Sequence, residues 1–397
     1  MMFPEIGHEI LGYAFPNDVH VLWGLMIVLY PYITGLVAGS FVVSALYHVF
    51  DKQEFKPVGK FSLVLSFCFL CFATVPLLNH LGHPERALNI IITPNTNSAM
   101  AGFGFFYSTY FLIVILEMWF VFRSDFIRIA SESRGLKRFF FAALVLGTYN
   151  TSEKALEYDK RITKVLAILG IPSACILHGY VGFLFGALKS NPWWSTPLMP
   201  VIFLFSAMVS GIALTIVLYM IIAALKRMKI SRECITGLCR WLWTFLILTF
   251  TLECLEIITL AYERSEAWLV IKPLLVSHLT FSYFVLQTGL GAVLPLIFLG
   301  LVVGLNKQMT DKLQNTIATI SAILLLIQVL SMRWNVIIGG QLFSKSLRGF
   351  RLEYHPGFFE KEGILAAILI FCLPFVLFTI IQKFLPLFPG TTETRQD

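Results

Sequence analysis

The stretch Asn79-His80-Leu81-Gly82-His83-Pro84-Glu85-Arg86 sets two imidazoles, a carboxylate and a guanidinium at the end of a long apolar run. Imidazoles exchange protons near neutral pH, and a guanidinium can orient a carboxylate or a carbonyl oxygen through several fixed donors. Such groups could bind an oxygen-bearing ring and move its protons. The plainer reading is a polar turn made by Gly82 and Pro84. Ionisable groups at a membrane edge bring the two readings level.

Other polar residues interrupt apolar runs. His178 lies in Leu177-His178-Gly179-Tyr180, where Gly179, Gly182 and Gly186 form a stripe of small residues. A lone histidine on an apolar face is usually a hydrogen-bonded structural residue, but its expected depth, level with His80 and His83, groups it with them. Glu253 and Glu256 are three apart, hence on one helical face, and Glu117 lies in a third apolar run. Carboxylates in hydrocarbon are costly and end up paired, neutralised or in a proton path. A proton path is the expectation here, against an inter-helix hydrogen bond that only fixes packing. Arg333-Trp334-Asn335, followed by Gly339-Gly340-Gln341, and Trp193-Trp194, followed by Ser195-Thr196, flank the ends of further runs. They either touch a ligand or anchor the chain at the interface.

The remaining chemistry is sparse. Of seven cysteines, Cys68 and Cys71 form a Cys-x-x-Cys inside an apolar run with no second pair nearby, short of a four-ligand metal site. Cys175, Cys254 and Cys372 read as small hydrophobes, and Cys234 and Cys239 do not suggest a disulfide framework. A haem held inside a bundle wants two facing histidines, yet only His178 is well within a run, with His48, His80 and His278 near ends. Neither a Gly-Lys-Ser/Thr phosphate loop nor a dinucleotide fingerprint is present. No haem, metal or nucleotide is therefore expected in this chain, and any metal cofactors would belong to a partner.

The elements that must position these groups are membrane helices. Of the 397 residues, 57% are hydrophobic and only 13% charged, where a soluble domain carries roughly 25% charged residues, and the mean hydropathy is +0.78. A helix crossing a bilayer needs about 20 apolar residues, and spans are expected near 20–48, 60–79, 98–122, 163–188, 197–225, 239–261, 283–305, 313–332 and 363–383. Residues 1–19 hold Glu5, Glu9 and Asp18 but no Lys or Arg, and the apolar run after them is too long for a cleavable signal, so the first span is expected to be permanent. Phe139–Leu146 is too short to span and is expected at the interface; if it crossed as a tilted helix, the count would be ten and later orientations would flip.

Basic residues set the orientation. The first, third, fifth and seventh connections and the C-terminal tail hold 21 of the 30 Lys and Arg; the N-terminus and the even-numbered connections hold 9. By the positive-inside bias this predicts a plasma-membrane protein with its N-terminus outside and C-terminus in the cytoplasm. The segment with Arg333, Lys345, Arg348 and Arg351 runs against that pattern. The net charge of +7 is spread through short connections beside spans, which suits anionic lipid rather than nucleic acid.

The fold class expected is an all-α integral membrane protein of nine, or ten, transmembrane helices, arranged as two four-helix bundles and a C-terminal helix. The organisation expected is a first bundle with the N-terminal segment over 1–190, a second bundle over 191–335, and an outer connection, last helix and tail over 336–397. Span one carries Pro31, Gly35, Gly39 and Ser40, and span five carries Pro200, Ser206, Ser210 and Gly211. Small residues four apart let helices approach closely in lipid, and the likeness of the two spans is weak evidence of an internal repeat.

Several motifs in order resemble the NrfD/polysulfide reductase membrane-subunit family, most closely its quinone-interacting DsrP/HybB-type branch. They are Val21-Leu22-Trp23 leading into Tyr30-Pro31-Tyr32-x-x-Gly35-x-x-x-Gly39, the HLGHPER turn, LHGYVGFLFG running into WWSTPLMPVIFLFSAMVSG, and RWNVIIGGQ. The resemblance covers nearly the whole chain. It implies a subunit without its own cofactor that binds a quinone, menaquinone by family, near the outer face beside a ferredoxin-like iron–sulfur subunit. The family commonly has an acid and an arginine in an Asp-Leu-Gly-Arg-Pro turn, where this chain has His80 and His83. That departure puts the proton chemistry of the turn in doubt, with Glu85 and Arg86 left to carry charge.

The function expected is electron exchange between menaquinol and that iron–sulfur subunit, in a sulfite-reduction-associated or heterodisulfide-reductase-like complex. His80, His83, Arg86 and His178 are expected to act on the ring, with Asn79, Glu85, Trp193, Trp194 and Arg333 around it and Glu117, Glu253 and Glu256 as a proton path. The membrane subunit of a quinone-linked hydrogenase is the nearest alternative. A secondary transporter or a passive membrane anchor would be of a different class; transporters usually have broken helices, which most of these spans do not suggest.

Overall fold

The computed structural model describes residues 19–344, 347 and 349–388; Glu5, Glu9, Asp18, Lys345 and Arg348 lie outside the described residues. Among these, nine helices are long and apolar enough to cross a membrane. They are α1 (Leu25–His48), α2 (Gln53–His80), α3 (Ala99–Glu132), α4 (Glu153–Gly186), α5 (Met199–Leu225), α6 (Arg232–Glu263), α7 (Thr280–Gly304), α8 (Asp311–Leu342) and α9 (Ile364–Phe384). The ten-span alternative does not occur among the described residues. The run at 139–146 belongs to a helix of 11 residues, Gly135–Val145, whose length of about 16 Å falls short of a hydrocarbon core of about 30 Å. Phe141 and Val145 are buried, while Leu136, Phe139 and Phe140 are exposed.

Local chemistry sets the helix limits. Three N-termini on the basic face are capped by a hydroxyl: Ser152 accepts from the Ala155 amide, Ser231 from Cys234 and Thr310 from Leu313, with Glu153, Glu233 and Asp311 in the first turns beside the positive helix end. Helix α2 breaks at Ala73-Thr74, where the ring of Pro76 disfavours the carbonyl bond four residues back. Helix α8 corrects the span limit expected at 332. It continues through a π-helical segment, Asn335–Gly339, and ends at Leu342. Every residue from 335 to 344 is buried, so packing carries the helix past the point where the polar Arg333 and Asn335 suggest a loop.

Helices α1 to α4 pack in one ring and α5 to α8 in a second; α9 lies against α2 and α1. The rings meet where α1 crosses α5, with α4 also on α5 and α8 on α1. The Pro-Gly-Ser spans thus face one another directly. At the crossing, a methyl group on Gly39 would collide with the Ala207 carbonyl, and one on Gly211 with the Gly39 backbone, the close approach that small residues permit in lipid. Large apolar side chains face outward, among them Ile258, Ile297, Leu369 and Val376, whereas Glu117, Glu253, Gln287, Gln314, Gln328, Arg333 and Asn335 are buried. Apolar outside and polar inside is the pattern of a protein solvated by lipid.

Candidate functional site

The sequence-derived residues fall into three groups. The HLGHPER turn is on the surface. His80 Nδ1 lies 2.9 Å from Glu362 Oε2, and the Asn79 amide donates to the Lys361 carbonyl at 2.7 Å. His83 pairs with Glu85 at 2.9 Å, and Arg86 is 3.9 Å from the same carboxylate. The side chains of His83, Glu85 and Arg86 are each more than 60% exposed. Among the described residues, no hydrogen bond or ion pair joins this turn to His178.

His178 is fully buried at the seam between the rings, and its partner is Arg333. The guanidinium is correspondingly not in an outer connection, as the sequence suggests, but wholly inside α8. Arg333 Nη2 is 3.1 Å from His178 Nε2, 2.7 Å from Ser206 Oγ and 3.3 Å from the Phe203 carbonyl; its Nη1 is 3.3 Å from Met332 Sδ, and the group stacks 3.7 Å from the centre of the Phe203 ring. Arginine only donates, so His178 Nε2 accepts and its proton is assigned to Nδ1, which has no partner. Gly35 of the first motif leaves the room: a methyl group there would come within 3.3 Å of His178 Cε1.

The third group lines a narrow, partly open pocket among α5 to α8: Glu253, Glu256 and Ile257 from α6, Tyr283 and Gln287 from α7, Met332, Asn335 and Val336 from α8, Met199 and Ile202 from α5, and Trp193. Its enclosed part has room for a water molecule. Gln287 Nε2 donates to Glu253 Oε2 at 2.9 Å and Gln328 Nε2 to Oε1 at 3.4 Å. Asn335 Nδ2 donates to Gln287 Oε1 at 2.8 Å, and Ser282 Oγ to Asn335 Oδ1 at 2.6 Å. Glu256 has a buried oxygen with no hydrogen bond. Apolar walls with a few convergent polar groups are the usual make-up of a small-molecule site.

Trp194 is neither in the pocket lining nor a membrane anchor. Buried, it donates from Nε1 to the Val336 carbonyl at 2.6 Å and stacks on Trp23 at 5.4 Å, while Gln341 bonds both to the Trp23 amide and to its carbonyl. The VLW, WWSTP and RWNVIIGGQ motifs therefore meet in one place. Glu117 is buried in α3 away from these groups, with neither oxygen hydrogen-bonded. Sequence reasoning missed Gln287, Gln328, Tyr283 and Ser282. Gln287 and Gln328 carried a signal, as polar amides inside apolar runs; Tyr283 and Ser282 carried none. Arg123 and Asp159, which the sequence reading did not single out, form a buried ion pair at 2.7 Å whose guanidinium also bonds the Thr148 and Asn150 carbonyls. Among the described residues, no three His, Cys, Asp or Glu side chains gather as a metal-binding group.

Comparison with known proteins agrees with this arrangement of motifs. The family model for polysulphide reductase, NrfD, matches residues 16–345. The chain is 30% identical to a selenate reductase subunit of Mesobacillus selenatarsenatis, over 94% of this chain and 88% of that one. It is 23% identical to the Hdr-like menaquinol oxidoreductase integral membrane subunit of Archaeoglobus fulgidus, over 91% and 86%, and 23% identical to a putative dimethyl sulfoxide reductase membrane subunit of Halobacterium salinarum, over 70% and 61%. With the family model matched from before α1 to beyond the end of α8, and the VLW, WWSTP and RWNVIIGGQ motifs packed together, the chain belongs to the polysulphide reductase, NrfD, family.

Proposed function

We propose that this chain is the quinone-exchanging membrane subunit of a reductase complex, passing electrons between menaquinol and an iron–sulfur partner. The observation that carries the reading is the partly open pocket among α5 to α8, where two buried carboxylates, a phenol and two amides line an otherwise apolar space. Quinol oxidation needs hydrogen-bonding groups at the ring oxygens and a group that takes the protons. The ring sits at the mouth of the pocket, one oxygen toward Glu256, with the water-sized interior behind it and Trp193 and Tyr283 as aromatic walls. Its apolar tail lies among the outward-facing aliphatic side chains. The name of the Archaeoglobus relative supports menaquinol as the donor.

The partner is a ferredoxin-like iron–sulfur subunit on the face of the HLGHPER turn, which is the outer face by the charge bias; the N-terminus is then outside and the C-terminus in the cytoplasm of a cell with this protein in its plasma membrane. The names of the relatives attach them to selenate, dimethyl sulfoxide and menaquinol chemistry, so a sulfite-linked or heterodisulfide-reductase-like complex is one member of a wider set of acceptors. A second reading keeps the ring at the turn itself, with Asn79, His80, His83, Glu85 and Arg86 as its ligands, and is favoured by the open exposure of His83, Glu85 and Arg86.

A photoreactive menaquinol analogue, activated in the purified complex and mapped by peptide mass, separates these readings. Adducts on Trp193 or on residues 253–287 support the pocket, and adducts confined to 79–88 move the site to the turn. No adducts, with no quinol-dependent reduction of the partner's clusters, would leave the passive anchor; solute flux without a redox partner would favour the transporter.

A further inference from the structure

Glu253 and Glu256 line the same pocket on the same face of α6, but their surroundings differ. Both oxygens of Glu253 are occupied by amide donors, Gln287 and Gln328. Gln287 is oriented in turn by Asn335, and Asn335 by Ser282. A carboxamide NH2 only donates and its carbonyl only accepts, so the chain runs one way, from Ser282 through Asn335 and Gln287 to Glu253. It fixes Glu253 as an acceptor on both sides. Glu256 is 91% buried, since its exposure is 9%, yet it makes no hydrogen bond, and its Oε1 is shielded from solvent without a partner. Buried polar atoms in proteins almost always have one. The missing partner is what a bound ligand would supply.

We infer that Glu256 is the catalytic residue that takes the ring-hydroxyl proton of the quinol, and that Glu253, held by the Ser282-Asn335-Gln287 chain, is a positioning residue that acts through it. The inference rests on the pocket being the quinone site. In the reaction the hydroxyl donates to Glu256 Oε1; its O–H bond breaks, and a carboxylic O–H forms on Glu256. Two electrons leave, one at a time, to the partner's iron–sulfur clusters, which are reduced as the quinol is oxidised to quinone. Glu256 passes its proton to water in the pocket and so becomes free to take the second.

The test uses the intact complex, a short-chain menaquinol as donor and the photoreactive analogue as a binding readout. E256Q keeps the shape and removes the proton acceptor; its kcat is expected to fall about 100-fold or more, while KM and labelling of 253–287 stay near native. E256D is expected to restore part of the rate. E253Q brings an NH2 against the donors of Gln287 and Gln328, and is expected to change the pH profile of kcat and lower it less than E256Q. Native turnover by E256Q with the pocket still labelled would overturn the proton assignment and leave the quinone site standing. Absence of label from 253–287 in the unsubstituted complex would overturn both. Loss of labelling in E256Q together with loss of rate would make Glu256 a binding group, and that also overturns the assignment.

Discussion

Arg333 Nη2 and His178 Nε2 are 3.1 Å apart across the seam between the two helical rings, both residues without solvent exposure. One comes from α8 and the other from α4; Ser206 and Phe203 of α5 complete the contact. The guanidinium is a fastener between the halves. Replacing it with methionine keeps much of the volume but leaves His178 Nε2 without its donor, while Ser206 Oγ and the Phe203 carbonyl keep the hydrogen bond between them; a buried polar group stripped of its partner costs about 1–3 kcal/mol. Arg333→Met is expected to lower the thermal midpoint of the detergent-solubilised protein by several degrees. Arg333→Lys is expected to recover little, because one ammonium cannot reproduce the planar fork over Phe203. A midpoint unchanged in Arg333→Met would show that the contact adds nothing to stability.

The helix crossing makes a sharper steric prediction. Gly211→Ala puts a methyl group into the Gly39 backbone, and Gly39→Ala puts one into the Ala207 carbonyl. Neither neighbour can turn aside, so the rings must part and lose packing around the seam; overpacking of this kind costs about 1–3 kcal/mol. Both variants are expected to unfold earlier in a thermal scan. Gly82→Ala, where nothing lies within 4 Å of the added methyl, is the control and is expected to behave as native.

Much of the fold was legible because lipid imposes one rule on every span: a run of apolar residues long enough to cross. The limits were less legible wherever a polar residue turned inward. Arg333 and Asn335 look like the start of an outer connection, yet they are inside α8, since a long guanidinium can be buried when partners on other helices receive its donors, and those partners are not adjacent in sequence. The pocket was half legible for the same reason. Glu253 and Glu256 stand out as acids in an apolar run, and Trp193 was marked by its place in a motif. Their grouping with Gln287, Tyr283 and Asn335 depends on how α6, α7 and α8 face each other, which spacing within one helix does not encode. The HLGHPER turn shows the opposite case, a dense local motif legible in the sequence whose side chains remain mostly at the surface.

That exposure gives the turn a different expected phenotype. His83→Ala and Arg86→Ala remove groups that each pair with Glu85 rather than with the pocket. If the turn receives the partner subunit, both variants are expected to weaken its retention during purification, the more so at high salt, while labelling of 253–287 by the photoreactive quinol persists. Loss of that labelling with the partner still bound would instead put the ring at the turn.

Orientation can be read with single cysteines on opposite faces. Gly82 lies in the HLGHPER turn, and Gly147 follows the short Gly135–Val145 helix on the basic side; neither has a neighbour within 4 Å of an added Cβ. Gly147 has a φ of +76°, so Thr151, an exposed residue of the same connection, is the less strained position. In intact cells a membrane-impermeant maleimide is expected to label Gly82→Cys and to spare Thr151→Cys until the membrane is opened. The reverse pattern would turn the protein over and place the iron–sulfur partner in the cytoplasm.

Glu117 supplies the last test. It is buried in α3 with neither carboxylate oxygen hydrogen-bonded, and an unpaired acid inside a membrane is costly enough to call for a role. It is remote in the chain from the pocket on α6 to α8 and shares no hydrogen bond with it, so quinol oxidation itself is not expected to need it. Glu117→Gln removes the titrating group while keeping the shape. In proteoliposomes carrying the complete complex, quinol-dependent reduction of the acceptor is expected to continue near the native rate. If Glu117 lies on a route that couples this reaction to proton movement across the bilayer, the acidification or alkalinisation of the lumen that accompanies turnover is expected to disappear in the variant. Native proton movement in Glu117→Gln would remove it from any such route and leave it as a packing residue of the first ring.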